Sequence, residues 1–154
     1  MLLAESKADG SPVGTLRLHL GLPLPLETSV TLPPWLQRAT RAEATRLGVQ
    51  ASPEGRLARN ALFKACYLNC LQAGVEWMVV TARSPIDKVY ANLLFDDVFE
   101  QGRMLPMRHV GDMPHRVMAL SIARAKQTWT ERGHPLLGFM LHEDHPEIRL
   151  APLM

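Results

Sequence analysis

Residues 43–49 read EATRLGV and are followed by a strong helix pattern and then by another apolar segment. Ser52-Pro53 places a helix cap before a proline at the first helical position. From residue 57 to 73 apolar side chains recur three and four residues apart, and Gly74 suits the end of that helix. Residues 75–82, VEWMVVTA, are almost wholly apolar, as in a strand buried on both faces. A helix between two strands is a crossover, so part of the sheet is predicted to be parallel.

Upstream of residue 43 the sequence predicts a β-hairpin and a loop. Residues 2–8 form a short apolar run ended by Asp9-Gly10, and residues 13–20, VGTLRLHL, alternate apolar and polar residues. We expect two paired strands connected by residues 9–12. The next stretch, GLPLPLETSVTLPP, contains so many prolines that neither a helix nor a central strand fits it. Residues 35–41 add a short helical turn.

Downstream of residue 83 the pattern predicts one more helix, two strands and a helical tail. Ser84-Pro85 opens a helix that runs to about residue 94. Strands are expected at 98–107 and 116–122, joined through 109–115. The tail is predicted to be helical in two pieces, split at Gly133-His134-Pro135. The fold class is therefore α/β, with a mixed sheet and packed helices in a single domain spanning 1–154, of which 123–154 is the helical tail.

Composition excludes several classes of protein. The chain has 154 residues, 47% of them apolar and 21% charged, which is typical of one globular domain. The net charge of +2 argues against a nucleic-acid partner, and the sequence has no apolar run of the ~20 residues that span a bilayer. The first ten residues, MLLAESKADG, are too charged for a secretion signal. Cys66 and Cys70 lie four apart in an apolar segment and are expected to be free core thiols, so the predicted location is the cytoplasm.

Short motifs in a fixed order resemble those of one enzyme family. GTLRL at 14–18 is followed by EATRLGV at 43–49, of the form E-x-[ST]-R-[LF]-x-V. The tail contains Gly-His-Pro at 133–135 and His-Pro-Glu-Ile at 145–148. In this order and spacing the motifs resemble the N-acyl amino acid synthases, which are GNAT-superfamily acyltransferases related to the acyl-homoserine-lactone (autoinducer) synthases. The resemblance covers most of residues 2–150.

The resemblance implies a GNAT-like fold and an acyltransferase activity. The expected reaction moves a long-chain acyl group from an acyl-carrier-protein thioester, or a coenzyme A thioester, to the α-amine of an amino acid. It needs no metal or redox cofactor. The family usually has a strand and one or two helices before the GTLRL hairpin, whereas this chain starts at the hairpin. It is therefore a fragment, a short form, or a chain that completes its site as a homodimer.

Two other functions remain open at this stage. One is an autoinducer-synthase-like enzyme that takes its amine from S-adenosylmethionine. The other is a GNAT-like module without catalytic activity that serves binding or dimer assembly.

Glu43 is the predicted catalytic residue. An amine attacks a thioester only when it is neutral, so a group in the site has to accept a proton. A glutamate on a strand beside a cleft is partly desolvated, which raises its pKa and suits it to that role. The alternative is a structural charge that pairs with Arg46, Arg41 or Arg17. In a regular strand Glu43 and Arg46 lie on opposite faces, so a direct pairing of the two requires a bulge.

Arg17, Arg46, Thr45 and Tyr90 are the predicted substrate-binding residues. An arginine in an apolar strand is costly unless it is paired or bound to an anion, and its planar guanidinium matches the carboxylate of an amino acid. The alternatives for the two arginines are an internal ion pair or plain exposure to solvent. Tyr90 corresponds to a region where GNAT folds often place a tyrosine near the thioester sulfur, and its alternative is a core residue.

The segment QASPEGRLARN at 50–60 is expected to contact the acyl carrier. In GNAT enzymes a glycine-rich loop at this place holds a pyrophosphate at a helix N-terminus. Only Gly55 of that pattern is present here, which favours an acyl carrier protein over coenzyme A. Arg56, Arg59 and Lys64 would form the docking patch for the carrier and its phosphopantetheine arm. The alternative is an ordinary solvated helix start.

No metal site is predicted from the sequence. His142-Glu143-Asp144-His145 places its histidines three residues apart rather than four, and Pro146 ends any helix there.

Overall fold

A mixed sheet of seven strands organises the part of the chain that the structure describes. This computed structural model describes residues 2–108 and 111–149. The elements, in chain order, are β1 (Leu2–Glu5), β2 (Pro12–His19), α1 (Pro34–Gln37), β3 (Arg41–Val49), α2 (Pro53–Ala73), β4 (Trp77–Ala82), α3 (Ile86–Asn92), β5 (Asp96–Asp97), β6 (Leu105–Met107), β7 (Met113–Ser121) and α4 (Ile122–Glu131). A 3₁₀ turn at Pro25–Thr28 and a π-helical turn at Gly138–His142 complete the described elements.

The strand order confirms the predicted α/β class. The sheet runs β1-β2-β3-β4-β7-β5, and β6 also pairs with β7. β3 and β4 are parallel, whereas the other described pairs are antiparallel. The crossover between the two parallel strands is α2, as the helix pattern predicts.

The ends of α2 confirm the capping residues that the sequence predicts. The Ser52 hydroxyl accepts a hydrogen bond from the Gly55 amide at 3.0 Å, and Gly74 ends the helix with a φ of 69°. Position 55 requires a glycine because of its close contact with the end of β3. A Cβ at this position would lie 1.8 Å from the Gln50 carbonyl oxygen, so only glycine lets the helix begin so close to the end of β3.

Each face of the sheet buries its own apolar cluster. On one face, α2 and α4 pack their apolar side chains against β2, β3 and β4, with Phe63 and Trp129 at the centre. On the other face, the proline-rich segment covers the sheet. Leu24, Leu26 and Leu32 of this segment, with Leu36 of α1, are buried against β4 and β7. β4 is therefore covered on both sides, as its continuous apolar run predicts.

The prediction of one strand at 98–107 is wrong. That stretch contains a turn at Gly102, whose φ is 73° and whose amide donates to the Asp97 carboxylate at 3.1 Å. The turn separates β5 from β6, and both pair along the same edge of β7. A glycine with positive φ breaks a strand even where the flanking residues are apolar.

The outer parts of the chain differ from the predictions in length. β1 ends at Glu5, and residues 6–11 make the turn to β2. The tail does form two helical pieces around residues 133–135, but it is not helical from 143 to 149. The predicted connection at 109–115 lies partly outside the described residues, and β7 already begins at Met113. The end of the predicted helical tail, 150–154, lies outside them as well.

Candidate functional site

An open cleft lies where β3 and β4 separate. The two strands pair from Arg41 with Trp77 to Ala44 with Val80. Beyond that point β3 continues to Val49 and β4 to Ala82 without pairing to each other. The cleft between them has a volume of about 670 Å³ and is lined by Ala44, Thr45, Arg46, Leu47, Thr81, Ala82, Arg83, Ser84, Ile86, Tyr90 and His115. Parallel strands that separate leave backbone groups at the opening without a strand partner, which makes the opening suited to a polar ligand atom.

A β-bulge on β3 turns Arg46 into this cleft. Arg17 pairs with Thr45 and Thr15 pairs with Gly48, so Leu16 alone faces two residues of β3, Arg46 and Leu47. Arg46 has a φ of 56°, in the left-handed region. The extra residue reverses the alternation of side chains, and Leu47 packs on the α2 side of the sheet, where a regular strand would place Arg46.

The two predicted arginines are thus not equivalent. Arg46 is exposed and lines the cleft. Arg17 is also exposed but does not line the cleft. Both side chains are exposed, which agrees with the alternative of solvent exposure that the sequence leaves open for the two arginines.

Among the residues that the structure describes, the cleft is lined by basic groups and by no acidic side chain. Arg83 and His115, on the β4 side, were not predicted from the sequence and join Arg46 in the lining. The Arg83 Nη1 lies 2.8 Å from the Met113 sulfur. The His115 Nδ1 donates to the Met113 carbonyl at 2.8 Å, which leaves Nε2 as the unprotonated nitrogen of the neutral ring. Such a lining favours an anionic ligand.

Arg83 and His115 differ in whether the sequence could have identified them as cleft residues. Arg83 and Ser84 follow directly on the buried β4, and polar residues at the end of a buried strand commonly face a site. Nothing local marks His115, because its place beside the cleft depends on the pairing of β7 with β4.

Tyr90 joins the cleft to an apolar crevice between β3, α2 and α3. Tyr90, Ala44 and Leu47 line both the cleft and the crevice, whose other walls are Leu16, Arg59, Phe63, Cys66, Met78, Val89 and Leu93. The tyrosine ring is buried and packs edge-to-face on Phe95, and burial raises the pKa of its phenol. Tyr90 is therefore a core residue that also borders the cleft.

Glu43 is completely buried and lies on the opposite face of the sheet from α2. Its Oε1 accepts a hydrogen bond from the Leu26 amide at 2.9 Å, and its Oε2 has no hydrogen-bond partner. Burial, and less strongly the charge of Glu27, raises the pKa of the Glu43 carboxyl to about 7, against the opposing effect of the Leu26 amide. Glu43 lines neither the cleft nor the crevice. No ion pair joins it to Arg41, which instead binds Glu27 at 2.9 Å.

His19 and Thr45 lie beside Glu43 on the same face. His19 is the cross-strand partner of Glu43, and Thr45 follows Glu43 by two residues on β3. The Nε2 of His19 lies 2.9 Å from the Thr45 hydroxyl. Burial lowers the pKa of His19 from its ordinary value of 6.5, and the charges of Arg17 and Arg46 lower it further. Since Thr45 lines the cleft, this pair connects the cleft to the surroundings of Glu43.

The predicted carrier-docking patch is wrong for Lys64. This side chain is buried, and its Nζ donates to the carbonyls of Phe139 and Glu143 and to the Nδ1 of His145, at 2.6–2.8 Å. It therefore fastens the C-terminal segment to α2 and has no surface available to a carrier. The sequence pattern places Lys64 on a helix but cannot show which distant segment covers it.

The other two predicted carrier contacts remain accessible. Arg56 is exposed, and Arg59 is half-buried beside the crevice. At the start of α2 the Gly55 amide already donates a hydrogen bond to the Ser52 hydroxyl, and Pro53 has no amide hydrogen. Few donors are left there for a pyrophosphate, which agrees with the missing glycine-rich pattern.

Cys66 and Cys70 are free, buried thiols, as predicted. Burial raises the pKa of both, in the case of Cys70 to about 12, so neither is a reactive thiolate near neutral pH. Within residues 2–108 and 111–149, His, Cys, Asp and Glu side chains form no group of three or more that could hold a metal ion. None of the described helices is both long and apolar enough to cross a membrane.

The mixed sheet, with its parallel central pair, has a GNAT-like α/β fold. The chain matches no family model and no curated protein. Among solved structures it is similar to FeeM, an N-acyl amino acid synthase from uncultured soil microbes, with a TM-score of 0.62 and 18% identity over 84% of this chain and 70% of that one. It is also similar to MesI, a CoA-dependent acyl-homoserine lactone synthase, with a TM-score of 0.51 and 23% identity over 85% of this chain and 67% of that one. The fold that the sequence motifs predict is thereby confirmed.

Proposed function

We propose that this protein is an acyltransferase that moves a long-chain acyl group from a carrier thioester to the α-amine of an amino acid. The observation that carries the proposal is the cleft at the separation of β3 and β4, which has basic groups at its opening and an apolar crevice next to it. The two structural relatives named above are both acyl-transferring synthases, which supports this class of reaction.

The cleft offers a place for each part of the reacting pair. The thioester carbonyl would accept hydrogen bonds from backbone amides where β3 and β4 have stopped pairing. The acyl chain would extend past Tyr90 and Leu47 toward the apolar crevice, whose volume is only about 10 Å³, so side-chain movements would have to widen it before a long chain could enter. No further cofactor takes part, because the acyl donor is itself a substrate.

The carboxylate of the acceptor would bind to the basic lining. Arg46 approaches from β3, and Arg83 approaches from the other wall. Guanidinium groups bind carboxylates with two parallel hydrogen bonds, which fixes the orientation of the neighbouring amine. Thr45 and Tyr90 complete this side of the site. Arg17 does not line the cleft, so its predicted contact with the acceptor is not part of this proposal.

The lining also favours an amino acid over S-adenosylmethionine as acceptor. S-adenosylmethionine carries a sulfonium as well as an amino group, and a basic lining repels this second cation. The lining contains three basic residues and no acidic one. An autoinducer-synthase-like reaction is therefore the less favoured of the two.

The amine must lose a proton before it attacks. Glu43 is the predicted acceptor or relay, and a pKa of about 7 suits that role. Because Glu43 lies beneath the 3₁₀ turn and outside the cleft lining, it needs an intermediate group to reach the amine.

The donor is proposed to be an acyl carrier protein. The start of α2 has few amides free for a pyrophosphate, and Arg56 and Arg59 supply positive charge for an acidic carrier. The protein is proposed to act in the cytoplasm, where such a carrier occurs. Association of two copies is an open part of the proposal.

The test is an acyl-transfer assay on the purified full chain. Long-chain acyl-carrier protein, acyl-CoA and the N-acetylcysteamine thioester of the same acyl group are each incubated with a mixture of amino acids, and separately with S-adenosylmethionine. Mass spectrometry is expected to find N-acyl amino acids, with the carrier protein as the best donor. Formation of product from S-adenosylmethionine alone would favour the autoinducer reaction, and the absence of any acylated product would identify a binding module.

Two substitutions locate the acceptor. Arg83→Gln and Arg46→Gln are each expected to raise the KM for the amino acid by about 10- to 100-fold, the usual effect of a lost hydrogen bond to a charged group. Arg103→Gln, at an exposed arginine outside the cleft lining, is the matched control. An unchanged KM in both cleft variants would show that the carboxylate binds elsewhere.

A further inference from the structure

The contact between His19 and Thr45 opens a route for protons out of the cleft. Thr45 lines the cleft, and its hydroxyl lies 2.9 Å from the Nε2 of His19 on the neighbouring strand. A hydroxyl both donates and accepts, and Nε2 accepts in the tautomer of the neutral imidazole whose hydrogen is on Nδ1. The pair can therefore move a proton from the cleft to His19 without any movement of the backbone.

We propose that Thr45 passes the proton of the acceptor amine to the Nε2 of His19, so that His19 acts, through Thr45, as the proton acceptor of the reaction. This inference rests on the proposed acyl transfer. It assigns the first acceptor to a histidine that no sequence motif marks, rather than to Glu43.

The pairing of β2 with β3 places His19 next to Thr45, as a proton acceptor for Thr45 requires. His19 pairs with Glu43 and Arg17 pairs with Thr45, so all four side chains lie on one face of β2 and β3. Glu43 is sealed beneath the 3₁₀ turn by its bond to the Leu26 amide. His19 is only half-buried, so it can release a proton to solvent after each turnover.

Burial and the charges around His19 disfavour the protonated form of its ring. Arg17 lies on its own strand, and Arg46 lies on β3. Both lower the pKa of His19, in addition to the larger effect of burial. Glu43 is the acidic group on the facing strand, and its own pKa is raised to about 7. A neutral imidazole is the form that can accept a proton.

The proton steps balance as follows. The acceptor enters as an ammonium, and one N–H bond breaks as its proton passes to the Thr45 oxygen while the Thr45 proton moves to His19. The electron pair left on nitrogen forms the new C–N bond at the thioester carbonyl. The C–S bond then breaks, and the departing sulfur takes the second proton from nitrogen to become a thiol. His19 finally returns its proton to water.

The experiment compares kcat, KM and pH profiles of full-length variants, with acyl-carrier protein as donor and the best amino acid as acceptor. His19→Gln keeps a polar side chain but cannot accept a proton, and Thr45→Val removes the hydroxyl. Both are expected to lower kcat by about 100-fold with little change in KM, within the usual range for a general base. Thr45→Ser is expected to retain activity, and the double variant to be no slower than either single one, since both act on one route. His142→Gln, at an exposed histidine outside the cleft lining, is the matched control.

The pH profile separates the two candidate acceptors. Activity requires the unprotonated base, so it should rise with pH through the pKa of that base, below 6.5 for His19 and near 7 for Glu43. The ratio of variant to wild-type rates removes the ionisation of the amine, which all variants share. An acid limb below pH 6.5 that disappears in His19→Gln supports the proposal.

Results that would refute the role of His19 can be distinguished from results that would refute acyl transfer itself. An acid limb near pH 7 that survives in His19→Gln and disappears in Glu43→Gln would assign the role to Glu43 and overturn the proposal. Unchanged kcat in a folded His19→Gln, verified by circular dichroism, would overturn it as well. A wild type without product from any donor would refute acyl transfer itself, and the relay with it.

Discussion

Replacing Glu43 by glutamine is expected to remove most of a pH-dependent loss of stability. The Glu43 carboxylate is fully buried, has one hydrogen bond from Leu26 and has one oxygen without a partner. Burial is the main reason that its pKa rises from 4.5 to about 7. Glutamine has the same shape, and its carbonyl oxygen can accept the same bond from Leu26, so the change removes the ionisation while preserving the contact.

The magnitude follows from the two pKa values. Below pH 4.5 the carboxyl is protonated in both the folded and the unfolded protein. As the pH rises from 4.5 through 7, the unfolded state ionises first, so the folded state loses stability in this window. A pKa of about 7 in place of 4.5 corresponds to about 3 kcal/mol. The cost of burying the glutamine amide is independent of pH and cancels in the comparison.

The assay is urea unfolding at pH 4.5, 6, 7 and 8 for the wild type, Glu43→Gln and Glu100→Gln. Glu100 is an exposed glutamate and provides the matched control. The stability of Glu43→Gln relative to the wild type should rise by about 3 kcal/mol between pH 4.5 and pH 8. A difference between the two proteins that stays constant across this range would show that Glu43 is not held in an apolar environment, and it would refute the reasoning.

Two further predictions concern residues that hold α2 in place. Gly55→Ala should destabilise the protein by about 3 kcal/mol in urea unfolding, because the added Cβ would lie 1.8 Å from the Gln50 carbonyl oxygen. Gly48→Ala is the control and should cause no loss of stability, because its Cβ would lie 3.8 Å from its nearest neighbour. Equal losses in the two variants would contradict the close approach of residue 55 to the Gln50 carbonyl. Lys64→Met should lower stability by about 3 kcal/mol and make residues 139–145 sensitive to limited proteolysis, since two backbone carbonyls lose their donor. If Lys64→Met instead bound an acyl carrier more weakly and kept the stability of the wild type, Lys64 would be a carrier contact after all.

Local patterns predicted the framework of this fold but not the geometry of its cleft. The capping residues Ser52 and Gly74 and the apolar run of β4 act through neighbours in sequence, so the crossover from β3 to β4 could be predicted. The bulge at Arg46 could not, because it arises from a register between β2 and β3 that only the folded sheet shows. Lys64 was misplaced for a related reason. Its hydrogen-bond partners lie 75 to 81 residues away in the chain.

Of the candidate acid–base groups, one could be predicted from the sequence and one could not. The carboxylate of Glu43 and its raised pKa were predictable from an acidic residue in an apolar strand. The contact of His19 with Thr45 was not, because His19 sits at the end of an ordinary alternating strand and acquires its partner across the sheet. His115 likewise reaches the cleft only because β7 pairs with β4.

The most direct test of the central claim is to find where the acyl thioester binds. An acyl-carrier protein whose acyl chain bears a photoreactive diazirine next to the thioester is mixed with the full chain and irradiated, and the labelled peptides are identified by mass spectrometry. We expect labelling of residues 44–47 and 81–90, on the two walls of the cleft, and competition by the unlabelled donor. Labelling confined to the outer surface of α4 or to the C-terminal segment would contradict it.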